Sequence, residues 1–336
     1  MTLCKLIAGI AVAAALVSGP AVAEPVNIRM AWATAPSHIT PLIPKVPMEV
    51  YRHYGKTYVV EPIFIAGSGP SLQAVAAGEI ELGGIGPQAF VLGLAEAKLD
   101  LKAIAQLLTG NMPGYASNGF WVRTGEITKI DDLKGKKIGV NARGSSTDAG
   151  VRLILGRHGL KDGQDYQIVE LRFAAQLAAL ESKRIDVAFL LKPFDDQAEQ
   201  KGGYKQLFTM AEAIGPSETL SYVGKSDWIQ KNRAALVDFL EDHMRMRRWL
   251  SDPRTRMDAV KVLAGVAKQP PENFAAWAFT TKDTGFRASD LMIDVTRFQK
   301  NVDDLKAADV LPMTIPVAPH IDMSLAKEAA ARVATN

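Results

Sequence analysis

The chain has 336 residues, of which 48% are apolar and 22% charged, with a formal net charge of +3. That length exceeds what one small core needs and sets two domains as the expectation, while the balance of apolar and charged residues excludes a disordered chain and a bundle of membrane spans. The slight excess of Lys and Arg is scattered, which leaves no basic stripe for nucleic acid and suits small anionic ligands.

The first 23 residues, MTLCKLIAGIAVAAALVSGPAVA, carry one cation at Lys5, an apolar stretch, a Gly19-Pro20 break and Ala21-Val22-Ala23. This is the layout of a secretory signal peptide cleaved after Ala23, so a mature periplasmic protein beginning at Glu24 is expected. An apolar run of roughly a dozen residues falls short of the ~20 that a spanning helix needs. Cys4 is the sole cysteine and precedes that run. Cleavage would remove it, which excludes thiolate nucleophiles, cysteine metal sites, disulfides and a lipid anchor from the mature chain.

VNIRMAWAT (26–34) is apolar enough for a buried strand, and the Pro and Ser of APSH break it before a helix. YVVEPIFIAG (58–67) reads as a second strand, SLQAVAA (71–77) as a short helix stopped by Gly78, IELGGIG (80–86) as a third strand and FVLGLAEA (90–97) as a helix. Such alternation predicts an α/β lobe built on a largely parallel sheet. The pattern recurs from residue 131. DDLKGKKIGVNARGSSTDAGVRLILGRHGL gives a turn, a strand (136–141), a Gly-Ser-Ser-Thr loop and a helix (147–157), followed by a strand at 166–173, a helix at AAQLAALES and a strand at 185–191.

From 226, SDWIQKNRAALVDFLEDHMRMRRWLSDP puts Leu236, Phe239 and Leu240 on one helical face, and further helical segments at 255–267, 272–279 and 289–308 make the C-terminal third mostly α. Two segments that pair Gly, Pro and Ser with a short apolar strand, NMPGYASNGFWVR (111–123) and AIGPSETLSYVGK (213–225), read as crossovers. Two crossovers make the second lobe an insertion in the first: lobe one 24–116 and 225–336, lobe two 117–224.

GSGPSLQAVAAGEIELGGIG (67–86) opens like a phosphate loop. A dinucleotide turn needs G-x-G-x-x-G, whereas 67–72 are G-S-G-P-S-L; the third glycine is missing and no strand ends in an acid about 20 residues on. What remains is a strand end joined to a helix N-terminus, where unpaired amides and the helix dipole favour an anion. Gly144-Ser145-Ser146-Thr147 repeats the arrangement in lobe two, with plain helix capping as the alternative role. Strand carboxyl ends face the crevice in open α/β sheets, so both loops would look into one cleft. Trp32 and Phe194, near strand ends, are candidates for either ligand contact or core packing. The five histidines, His38, His53, His158, His243 and His320, have no metal spacing, there is no G-x-S-x-G elbow, and no carboxylate pair stands out. No catalytic residue, metal or cofactor is therefore expected.

These residues resemble the periplasmic binding proteins of ABC importers in the nitrate, sulfonate, taurine and bicarbonate group. The likeness is strongest at SGPSLQAVAAGEIELGGIG, DDLKGKKIGVNARGSST and LAALESKRIDVAFLLKPF, continues through ALVDFLEDHMRMRRWLSDP, and covers nearly all of 26–325. The resemblance implies a two-lobed type II α/β fold, each lobe a mostly parallel sheet flanked by helices, that closes around one small solute and delivers it to a membrane permease. It implies a site made of Ser68 and Gly69 in the first-lobe loop and Ser145, Ser146 and Thr147 in the second. It adds Pro193 and Phe194 at the strand end that closes the far side, and Ser37 and His38 in the loop after the first strand. Many relatives have Gly-Asp-Ala-Pro after the third strand, where this chain has Gly86-Pro87-Gln88-Ala89. Without that Asp an ammonium-bearing ligand loses its partner, and Gln88 suits a carboxylate, a sulfonate or a neutral group. Arg143, just before the GSST glycine, reads either as the charge partner of the solute or as a solvated loop arginine.

The expectation is a monomeric, non-enzymatic periplasmic receptor for a small organic anion, a sulfonate or carboxylate, partnered by an ABC permease and not by nucleic acid. One rival is the solute receptor of a TAXI-type TRAP transporter. Another is an enzyme on this fold, such as the pyrimidine synthase of thiamine biosynthesis or hydroxymethylbilane synthase. The latter needs a cofactor-bearing cysteine that the mature chain would lack, and both work inside the cell.

Overall fold

The computed structural model describes residues 24–335, so the expected signal peptide, 1–23, lies outside the described residues. The chain begins β1 (Val26–Trp32), β2 (Tyr58–Phe64), α1 (Ser68–Ala77), β3 (Gly83–Ile85), α2 (Pro87–Ala95) and β4 (Leu101–Gly110). It continues β5 (Gly119–Arg123), β6 (Lys137–Val140), α3 (Ser146–Arg157), β7 (Gln167–Glu170), α4 (Phe173–Glu181), β8 (Val187–Leu190), α5 (Phe194–Lys201), β9 (Tyr204–Thr209) and α6 (Met210–Ala213). After β10 (Ser217–Lys225) come α7 (Ser226–Lys231), α8 (Arg233–Ser251), α9 (Arg256–Ala267), α10 (Glu272–Ala275), β11 (Gly285–Phe286), α11 (Val295–Ala307) and α12 (Ser324–Ala334).

The strands fall into two groups. β1 pairs in parallel with β2 and meets the start of β3 through a parallel bridge between Met30 and Leu82. β3 continues into a sheet of order β11-β4-β10-β3 in which β10 runs against both β3 and β4. The second sheet has the order β7-β6-β8-β5-β9, with β5 alone running against its neighbours. The chain crosses from the first sheet to the second between β4 and β5, and returns between α6 and β10. β10, which the sequence places in lobe two up to residue 224, belongs to the first sheet; Tyr222 and Val223 are fully buried there, and Tyr222 packs edge-on against Phe239 of α8.

The helical C-terminal third covers the first sheet, and Leu236, Phe239 and Leu240 of α8 share one core with Ile28, Met30, Tyr58 and Tyr222. Asp242, also on the buried face of α8, accepts the backbone N–H groups of Arg52, His53 and Tyr54 (2.7, 2.9 and 3.0 Å) and the Tyr58 hydroxyl (3.1 Å). Four donors offset the cost of burying that carboxylate and fix the turn between the loop and β2.

Three expected helices are shorter than the sequence suggests. After APSH there are only two short 3-10 segments, Thr40–Lys45 and Met48–Val50, because Pro41, Pro44 and Pro47 remove the N–H groups that a longer helix would use. The segment 272–279 is helical only over α10, and Phe279 leaves it with φ 61°. α11 starts at Val295, where Asp294 accepts the backbone N–H of Arg297 at 2.9 Å.

Candidate functional site

Three helix N-termini converge where the two sheets face each other. α1 starts directly after Gly67, whose φ of 123° and close approach to Ala142 (a Cβ would lie 2.7 Å from that residue's Cβ) admit no side chain. α3 starts after Ser145, whose hydroxyl accepts the Asp148 N–H at 3.4 Å and lies 2.8 Å from Asn141 Oδ1. α2 starts after Gly86, whose N–H donates to the Ser68 hydroxyl at 3.1 Å. Pro70 sits inside the first turn of α1, where its missing N–H costs nothing.

Between the α1 and α3 N-termini lies a cavity of about 90 Å³, room for roughly half a dozen waters or a solute of like size. Its polar wall includes His38, Ser68, Asn141, Ser146, Thr147 and Thr219; its apolar wall is Leu108, Phe173, Phe189, Leu191, Met210 and Leu220. Among the described residues no Lys, Arg, Asp or Glu lines it. His38 is neutral there: burial, with a smaller contribution from nearby Arg287, pushes its pKa down to about 4. An anion in the cavity would meet backbone amides and helix N-termini rather than a charged side chain. Asp148, buried in the first turn of α3, accepts the Gly144 N–H (2.9 Å) and pairs with Arg152 (3.0 Å), so its charge is matched locally.

Of the residues expected at the site, Ser37, His38, Ser68, Ser145, Ser146 and Thr147 line this cavity. Trp32, Pro193 and Phe194 line an adjoining one. Gly69 lies in the first turn of α1, where a Cβ would stand 3.0 Å from the carbonyl oxygen of Arg143. Gln88 lines a small separate cavity with Gly86, Ser146 and Glu218, and its buried Oε1 has no hydrogen-bond partner. Arg143 does not reach the cavity: its side chain is 47% exposed and its guanidinium donates to Asp162 at 2.6 Å.

The sequence did not point to Asn141, Thr219 or the apolar wall. Asn141 was open to inference, since it directly follows β6 and precedes the GSST loop. Thr219 enters from the returning crossover strand, with no local signal.

Two groups of strands joined by two crossovers, with helix N-termini meeting in the cleft, define the type II periplasmic binding protein fold. The chain itself belongs to the NMT1-like family, whose model matches residues 21–264. Among solved structures it is similar to the alkanesulfonate-binding protein SsuA from Xanthomonas axonopodis pv. citri (19% identity, TM-score 0.70, 90% of this chain and 100% of that one). It is also similar to the periplasmic nitrate-binding protein NrtA from Synechocystis PCC 6803 (16% identity, TM-score 0.71, 93% and 90%). The desulfurization enzyme DszB shares the fold as well (12% identity, TM-score 0.61, 91% and 99%). No curated protein matches the chain by sequence.

Proposed function

We propose that the protein is a periplasmic solute receptor that binds a small organic anion, a carboxylate or sulfonate, and delivers it to an ABC permease. On this reading residues 1–23 direct export, and the lobes divide at the crossovers 111–118 and 214–216. The observation that carries it is the convergence of the α1 and α3 N-termini, one from each lobe, on a cavity whose side chains bear no formal charge. An anion there is held by amides and hydroxyls, and repelled by no carboxylate on the wall. Phe173, Phe189, Leu191 and Met210 offer the other end of the solute an apolar surface. A receptor also fits the wiring of the hydroxyls better than an enzyme does. Ser145 and Thr147 are bonded to Asn141, and among the described residues none is hydrogen-bonded to the His38 imidazole, as an activated nucleophile would be.

The test is thermal denaturation of residues 24–336 against sulfonates, carboxylates, nitrate, bicarbonate and neutral solutes. A ligand at 100 times its Kd adds ~2.7 kcal/mol of stability. A sulfonate or carboxylate is expected to raise the midpoint; a response to neutral solutes or nucleotides alone would overturn the reading.

A further inference from the structure

The cleft has an outer compartment. Ala33, Thr34 and Phe173 border the inner cavity and also a second one of about 260 Å³. Its walls are strongly aromatic: Trp32 and Phe64 from the paired ends of β1 and β2, Phe173 from the start of α4, and Phe194 from the start of α5. Trp32 and Phe64 meet edge to face, with ring centroids 5.2 Å apart. Phe64 is nevertheless 40% exposed, so this pair forms part of a wall and not of a filled core.

Two cations line the same compartment, and they differ. Lys192 is engaged by Asp196 (2.5 Å) and Asp195 (3.6 Å). Arg172 lies over the face of Phe64, 4.8 Å from guanidinium carbon to ring centroid, and among the described residues its guanidinium has no carboxylate partner and donates no hydrogen bond. A guanidinium stacked on a ring keeps its in-plane N–H groups free, and that edge suits the two oxygens of a carboxylate.

We propose that the outer compartment is a subsite for an aromatic ring bearing an acidic group, so that the solute is an aromatic acid with a polar head at each end. One head lies at the helix N-termini of the inner cavity, the ring packs against Trp32, Phe64 and Phe194, and the outer acid pairs with Arg172. This rests on the anion reading of the inner cavity and narrows its substrate class.

Titration calorimetry on residues 24–336 separates the parts. The probes are methanesulfonate and acetate (head only), benzenesulfonate and benzoate (head and ring), and 4-sulfobenzoate (head, ring and second acid). Affinity is expected to rise at each step, by at least tenfold overall. Arg172→Met is expected to weaken 4-sulfobenzoate at least tenfold more than it weakens methanesulfonate, and Phe64→Ala to remove the gain from the ring. The subsite is overturned if ring-bearing acids bind no tighter than the small ones, or if Arg172→Met affects both classes equally. If no acid of any size binds, the inner-cavity reading itself fails and the subsite falls with it.

Discussion

At the scale of single residues, the cleft hydroxyls are not equivalent. Ser68 accepts the Gly86 N–H at 3.1 Å and is buried, so Ser68→Ala leaves a buried amide unpaired and costs about 1–3 kcal/mol of stability. Ser146 makes only a long 3.3 Å bond to the Thr219 carbonyl across the cleft. Ser146→Ala should therefore leave the ligand-free midpoint nearly unchanged and weaken solute binding about 2- to 10-fold, the range for one neutral hydrogen bond. Calorimetry alongside denaturation checks both; equal losses of apo stability in the two variants would make Ser146 a structural residue only. His38 sets a pH window. Its pKa is about 4 in the fold against an ordinary 6.5, so the unfolded chain takes up the proton first. The stability that follows from burying it neutral is complete above 6.5 and is lost as pH falls toward 4, by an amount on the order of 3 kcal/mol. His243, also fully buried and held well below its ordinary pKa, adds to the same decline. In His38→Gln the slope of stability with pH between 6.5 and 4 should be shallower; a slope equal to that of the wild type would contradict the assignment.

At the scale of elements, legibility follows the kind of signal each segment carries. β1, β2, β6 and α3 lie within a few residues of their expected bounds, because an apolar run or a hydroxyl cap marks each end. α1 begins three residues earlier than its sequence suggests, since Ser68-Gly69-Pro70 has loop composition but Pro is tolerated in a first turn. β4 is harder to read. LKAIAQLLTG is buried along nearly its whole length between β10 and β11, and a mostly apolar stretch without strict alternation does not distinguish strand from helix. α12 is different again: Leu325, Ala326, Ala329 and Val333 have helical spacing and are all buried, a signal present in the sequence and absent from the expectations above. At the site, the two serine-bearing loops were legible because a strand end followed by a helix N-terminus is a local pattern. Thr219 and the Arg172–Phe64 stack were not, because their positions depend on pairings between distant segments.

At the scale of the whole molecule, the two lobes come close at glycines. A Cβ on Gly69 would stand 3.0 Å from the Arg143 carbonyl oxygen, and one on Gly86 would stand 3.1 Å from the Ser146 hydroxyl; the first residue of each pair belongs to the first lobe and the second to the inserted one. Ala149 and Leu153 of α3 also join the apolar cluster built on Phe90 of α2 and Phe298 of α11, so the contact between the lobes buries apolar surface as well. If solute binding draws the lobes into this arrangement, a side chain at Gly69 should oppose it. Gly69 has no positive φ, so a side chain there is not excluded by the backbone region itself, although Pro70, which follows it, disfavours a Cβ in the helical conformation. Gly69→Ala should weaken solute binding by more than any loss it causes in ligand-free stability, because only the fraction of molecules able to close binds tightly. Small-angle scattering with and without saturating solute should show the wild type contracting more than the variant. A variant that binds and contracts like the wild type would mean that the lobes do not need this contact to hold the solute. Gly67→Ala serves as the contrast: its φ of 123° makes any side chain there costly to folding itself, so its defect would appear without ligand.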